Sequence, residues 1–275
     1  MQDSTIARLA ALPIWPATPR IEPIAGGRTN ENFRVTSAGR LFFARVGIDL
    51  PHHGITRANE LRCLRLAAAA GIAPAVIHAA DGVMVTAFVA GRTLVQGEPI
   101  DDATLVLLAH ALRDLSSAAP PPELGGFDPV AVCRRDLASL PAAGLSAARH
   151  ARAVAILAAA PRLTAQTLIH ADLIPENVIV SDGKVTLVDW EYSGRGDPAV
   201  DVASVVLHFG LAERQAELFV ARRGDVDPAI VQALQPILAL REALWCEVQQ
   251  RFAGLRGDLA AYSELCWRRL DDAAS

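Results

Sequence analysis

Between Arg20 and Val46 apolar and polar residues alternate at the two-residue period of a strand, in RIEPIA, NFRVTS and RLFFARV, with Gly-Gly and Ala-Gly pairs between the runs. A three-strand meander is predicted. In ITRANELRCLRLAAAAG the apolar positions Leu61, Leu64 and Leu66 change to roughly helical spacing, and Gly71 supplies a stop. AVIHA and VMVTAFV then flank the Asp81-Gly82 pair, a tight-hairpin signal. Five strands and a helix make a small first lobe, residues 1–88.

After AGRTL the period is helical. DDATLVLLAHALRDLSS opens with acids, where the helix dipole favours them, and AAGLSAARHARAVAILAAAP is a second, alanine-rich helix beyond the Pro/Gly-rich loop APPPELGGFDP. This second lobe, residues 89–275, is mainly helical, with one interruption: NVIV and VTLVDW are β-rich runs joined by SDGK. The pattern is α+β with two lobes, and no repeat of 20 to 50 residues is present.

Composition narrows the function. A chain of 275 residues with 52% hydrophobic content folds around a substantial core, and a net charge of -4 gives no general attraction to nucleic acid or to an anionic membrane. Two prolines interrupt the apolar RLAALPIWPATP, so no signal peptide is expected, and no run reaches membrane-spanning length. Cys63, Cys133, Cys246 and Cys266 form no metal-binding spacing, and reduced thiols in a cytoplasmic protein are expected. Lys184 is the only lysine among 26 basic residues, so an arginine in a site carries little chemical information by itself.

The chemistry sits around the second-lobe hairpin. In LIHADLIPENVIV the polar residues precede the first strand, and Asp189 follows the second, so the turn brings Asp172 and Asn177 near Asp189. Asp172 is suited to accept a proton from a hydroxyl. Asn177 and Asp189 offer oxygens to Mg²⁺, which prefers them and keeps waters and phosphates as further ligands. His170 is expected to hold the loop by hydrogen bonds, and Asp197 and Asp201 to brace and cap. The other six histidines share no spacing and are given no role. This is equipment for phosphoryl transfer.

HADLIPEN and LVDWEYSGRGDPAVDVA together resemble the catalytic and metal motifs of the aminoglycoside phosphotransferase and choline kinase superfamily, relatives of the protein kinases. The resemblance implies a two-lobed kinase-like fold, ATP and Mg²⁺ as cofactors, Asp172 as catalytic base, and Asn177 and Asp189 as metal ligands. It also makes GGRTNENFRV a hairpin over the nucleotide, with Gly27 allowing close approach to phosphate and Thr29 and Asn30 as donors. Arg45 stands where protein kinases carry lysine, with Glu60 as its partner. Residues 85–91, VTAFVAG, become the hinge, with backbone near Thr86 and Phe88 toward the adenine. Glu191, two residues past Asp189 and on the same face if the strand continues, is expected at the metal or substrate, with an exposed loop acid as the alternative.

The acceptor is read from the tail, where two of four tryptophans and one of two tyrosines fall between Trp245 and Trp267. Aromatic faces attract ammonium groups. Trp245, Gln249 and Tyr262 resemble the choline-binding end of choline kinases, while Glu242 stands where those enzymes tend to have a further aromatic. A small-molecule alcohol acceptor follows, choline or ethanolamine first, with thiamine or an aminoglycoside as alternatives on the same fold. A metal-dependent hydrolase and a catalytically silent nucleotide-binding module are the readings from other classes; the presence of Asp172, Asn177 and Asp189 together opposes the silent module.

Overall fold

The computed structural model describes residues 2–24, 30–117, 119–141, 144–253 and 257–272. The expected meander is there: β1 (Arg20–Ile24), β2 (Glu31–Ser37) and β3 (Arg40–Val46) run antiparallel, and β5 (Val83–Ala87) and β4 (Val76–Ala80) complete a sheet of order β1-β2-β3-β5-β4. Ala38-Gly39 and Asp81-Gly82 close its hairpins with positive φ at both residues, as type I′ turns require. One face buries Phe33, Val35, Phe42, Ala44, Val83 and Val85 beneath α1 (Gln2–Ala10), whose Leu9 is fully buried. Sequence patterning did not disclose α1: it ends before Pro13, so the prolines lie outside it.

The helix α2 (Arg57–Ala69) lies behind the sheet, capped by Thr56, whose hydroxyl accepts from the Asn59 amide at 3.3 Å. Such caps contribute about 1 kcal/mol. A short strand β6 (Arg92–Thr93) then leads into α3 (Asp102–Ser117). The next helix, α4 (Pro129–Ser139), begins in what reads as loop: Asp128 caps it, and Pro129 occupies the first position, where a missing N–H costs nothing. Then follow α5 (Ala147–Ala158) and β7 (Thr167–Ile169).

The predicted second-lobe hairpin is β8 (Val178–Ser181) and β9 (Lys184–Leu187), joined by Asp182-Gly183 in a third I′ turn, with β6 on its outer edge. A small strand β10 (Gly194–Gly196) pairs with β7. The chain finishes with α6 (Ala199–His208), α7 (Glu213–Arg223), α8 (Pro228–Ala253) and α9 (Gly257–Asp272). Two cores support this region. The larger joins α3, β7, β9, α6 and α7 through Leu108, Leu112, Leu168, Leu187, Val202 and Phe219. The smaller joins α4, α5, α8 and α9 through Cys133, Ile156, Leu240, Leu244 and Trp267. All four cysteines are buried, and no described helix is long and apolar enough to cross a membrane.

Candidate active site

Five non-glycine residues among those described have positive φ; three are in the I′ turns, and the other two are Ala171 and Asp189. Backbone strain of this kind costs about 1–3 kcal/mol and persists only where neighbours impose it. At Ala171 the imposing group is visible. Asp201, buried on α6, accepts the main-chain amides of His170 and Ala171 at 2.8 Å each. Burial pushes the Asp201 carboxyl up to about 6, against the pull of those amides. Asp197 similarly accepts the amides of Ala199, Thr164 and Ala165.

The His170 ring lies 3.0 Å from the Val188 carbonyl and edge-on to Trp190. Burial drives its pKa down to about 4, so the neutral ring donates from Nε2 to that carbonyl. The neighbouring Val188 amide donates to the Asn177 carbonyl at 3.0 Å, and Asn177 Nδ2 donates to the Asp172 carbonyl at 2.9 Å. The hairpin ends are thereby tied together. Asn177, buried on a single turn of 3₁₀ helix, uses its amide nitrogen on the loop, which leaves its oxygen for an ion.

Asp189 stands across from them. Its side chain keeps 43% of its surface open to the cleft, with Arg45 Nη1 at 3.4 Å. Surrounding protein and the Glu191 carboxylate push its pKa up to about 7, while Arg45 opposes the shift. The open edge admits water, so burial is incomplete, and a cation there would restore the ionised form.

Arg45, on β3, and Glu60, on α2, form a buried ion pair, as their places in the sequence suggest. Arg57 adds an unforeseen link. Its Nη1 lies 2.8 Å from Glu60 and 3.0 Å from Glu191, and its Nε donates to the Ile48 carbonyl. Asn30 Nδ2 also donates to Glu191, at 3.1 Å. Glu191, expected at the metal or substrate, is 7% exposed, and its Oε2 ties the second lobe to the first. Thr86 is buried within the ladder opposite Phe43, and the Phe88 amide donates to the Leu41 carbonyl at 3.4 Å. Gly27 and Thr29 lie outside the described residues.

The acceptor-side residues gather on α8 and α9, where each meets protein. Tyr262 donates to Glu242, Trp245 stacks on His53 with ring centres 5.5 Å apart, and Gln249 Oε1 lies 2.6 Å from His53 Nε2. His53, in the turn after β3, thus docks the first lobe on α8; its pKa is pulled down to about 4, chiefly by burial. Trp245 and Tyr262 are half-buried against the smaller core of the second lobe. The ion-pair partner of Asp172 went unpredicted: Arg241 Nη1 lies 3.2 Å from Asp172 Oδ1. The Arg241 guanidinium carbon is 4.4 Å from the Tyr192 ring centre and 5.2 Å from that of Phe127. No spacing rule links positions 127, 172, 192 and 241. For Arg57 a signal existed, its three-residue distance from Glu60 on one helix.

A β-sheet lobe joined to a mainly helical lobe, with Asp172 and Asp189 at the two ends of one hairpin, defines a kinase-like architecture. The chain matches the model of APH, the phosphotransferase enzyme family, over residues 20–234, and belongs to that family. It is 40% identical to protein LicA of Haemophilus influenzae over 48 residues, 18% of each chain. It is 30% identical to a thiamine kinase of Escherichia coli over 112 residues, 41% of this chain and 36% of that one. The matched segments thus span well under two thirds of these curated relatives. Among solved structures, a choline/ethanolamine kinase family protein from Mesorhizobium loti superposes with a TM-score of 0.76 at 28% identity, over 98% of this chain and 94% of that one. The choline kinase LicA from Streptococcus pneumoniae superposes with a TM-score of 0.79 at 20% identity, over 99% of both.

Proposed function

We propose that the protein transfers the γ-phosphoryl group of ATP to the hydroxyl of a small amino or ammonium alcohol, with choline and ethanolamine the leading candidates. The observation that carries this reading is the hydrogen-bonded chain from His170 through Val188 and Asn177 to Asp172, which holds the base-bearing loop against the strand end that presents Asp189. Asp172 takes the hydroxyl proton as the alcohol oxygen attacks phosphorus and ADP leaves. The Asp189 carboxylate and Asn177 amide oxygen are the hard donors that suit Mg²⁺, which when bound neutralises phosphate charge. Arg45, held by Glu60, clamps phosphate, and residues 85–91 form the hinge beside the adenine, between a nucleotide lobe of residues 1–88 and a catalytic lobe of residues 89–275.

Glu242 supplies negative charge for a cationic head, and Trp245 and Tyr262 supply aromatic faces. The likeness to a thiamine kinase favours thiamine as a second acceptor, itself a cationic alcohol. The test is ADP release and product mass with choline, ethanolamine, thiamine and an aminoglycoside, each with Mg·ATP. Phosphorylated choline, ethanolamine or thiamine supports the reading. Phosphate release with no acceptor phosphorylated points to a hydrolase, and exclusive use of the aminoglycoside removes the small-alcohol assignment.

A further inference from the structure

The base does not face the acceptor side alone. Arg241 pairs with Asp172 Oδ1 at 3.2 Å, and only 14% of the arginine side chain is exposed. Its guanidinium lies against the Tyr192 and Phe127 rings, 4.4 and 5.2 Å from their centres. Burial works against its charge and the Asp172 carboxylate for it, with the balance upward, so the group stays protonated. An arginine so enclosed has lost most of its rotamers, and its planar fork presents donors in a fixed direction.

We propose that Arg241 is a positioning residue for the phosphoryl acceptor reaction: it holds the Asp172 carboxylate toward the hydroxyl and fills the aromatic slot beside the base with the protein's own cation. This rests on the assignment of Asp172 as base, and it refines the acceptor. A guanidinium already occupies the faces of Tyr192 and Phe127, so a cationic head must bind farther along α8, near Glu242 and Trp245, and only the neutral hydroxyl end reaches Asp172. Arg241 therefore has two separable effects. It raises turnover by orienting the base, and it weakens binding of a cationic acceptor by cancelling the negative charge of Asp172.

Arg241→Ala in the full chain separates these effects from a packing role. The expected result with choline, ethanolamine or thiamine is a kcat lower by about tenfold or more, from loss of a charge-assisted contact to the base. The acceptor KM should fall or stay level, and the KM for ATP should not change. Guanidinium chloride at millimolar concentration should restore part of kcat by entering the vacated slot, where equal sodium chloride does not. A wild-type kcat, a rise in both KM values, or a loss that guanidinium leaves untouched overturns the proposal. Arg241→Lys guards against misfolding: it keeps the charge without the fork, and its kcat should lie between wild type and Arg241→Ala, so a folded lysine variant with wild-type kcat also overturns it. If no alcohol is phosphorylated by the wild type, the function reading fails by itself, and slow ATP hydrolysis to water reads Arg241 instead. Should that be absent too, a crystal structure of Arg241→Ala decides, with a displaced Asp172 carboxylate expected and an unmoved one fatal to the idea.

Discussion

Asp172 and Asp189 lie at the two ends of one hairpin, yet they are held in opposite ways. Around Asp189 the partners are charges from the first lobe: Arg45 reaches it, Glu60 and Arg57 back that arginine, and Glu191 and Asn30 complete the lattice. Among the described residues the cation paired with Asp172 is Arg241, and its supports are the rings of Tyr192 and Phe127. A lattice of alternating charges suits a site that must receive a polyanion and its cation, since fixed charges need no reorganisation when the ligand arrives. Those two ring faces are taken by the protein's own guanidinium, so the aromatic faces left for a small cationic head are those farther along α8 and on α9, Trp245 and Tyr262.

The sharpest way to break the comparison is to neutralise each acid. Asp172→Asn should lower kcat about 10²- to 10⁴-fold, the range for loss of a general base, with the affinity for Mg·ATP preserved. Asp189→Asn should weaken Mg·ATP binding itself. Titration of both variants with a fluorescent ATP analogue, alongside product formation, separates them; equal loss of nucleotide affinity would merge the two sites into one.

Next comes the lattice. Glu60→Ala removes the buried partner of Arg45 and leaves that guanidinium only the 3.4 Å contact with Asp189, and removal of one partner from a buried pair costs about 3–5 kcal/mol. Calorimetry should register that loss, and the KM for ATP should rise. Arg45→Ala should raise it further, because a clamp made in ground and transition states alike acts as binding. Unchanged ATP kinetics in a folded Arg45→Ala would leave the pair a purely structural one.

The aromatic faces on α8 and α9 should answer with a smaller, selective effect. Trp245→Ala and Tyr262→Ala are expected to raise the acceptor KM about tenfold, from cation–π contacts worth about 2 kcal/mol when desolvated, and to leave the KM for ATP alone. Glu242→Gln should act the same way at unchanged melting temperature. A fall in stability with both substrates impaired equally would return these rings to core packing, a role that their half-burial against the smaller core also permits.

The smallest effect concerns the contact between lobes at His53. Its pKa falls from 6.5 to about 4 in the fold, so the unfolded chain takes up a proton that the folded chain resists. The stability this adds is complete above pH 6.5 and is lost as the pH falls toward 4. His53→Gln cannot titrate, so its melting temperature should decline less steeply than that of the wild type across that window. Parallel slopes would show that the His53 contact opens before it titrates.

Legibility in the sequence followed the distance over which each feature is built. Three hairpins could be read because Ala-Gly and Asp-Gly pairs fix turn geometry within two residues. The loop with Asp172 and Asn177 could be placed near Asp189 because a single hairpin links them. Helix α4 was missed where a proline-rich loop ran into a proline-initiated helix, and α1 where the apolar segment was read only against a signal peptide. The surroundings of Glu191 were not legible for a different reason. Its direction depends on Arg57 and Asn30, which approach from the other lobe.

The sequence by itself determined the α+β pattern, the hairpins and the order of the acids, since these depend on period, turn chemistry and spacing along one stretch of chain. Only the tertiary structure decided which charge meets which. Arg241 and Asp172 are 69 residues apart, and Glu191 and Asn30 are 161 apart. Side chains so distant meet because packing of α8 and α6 and the docking of two lobes bring them together, and packing is a property of complementary shape that no local pattern of residues encodes.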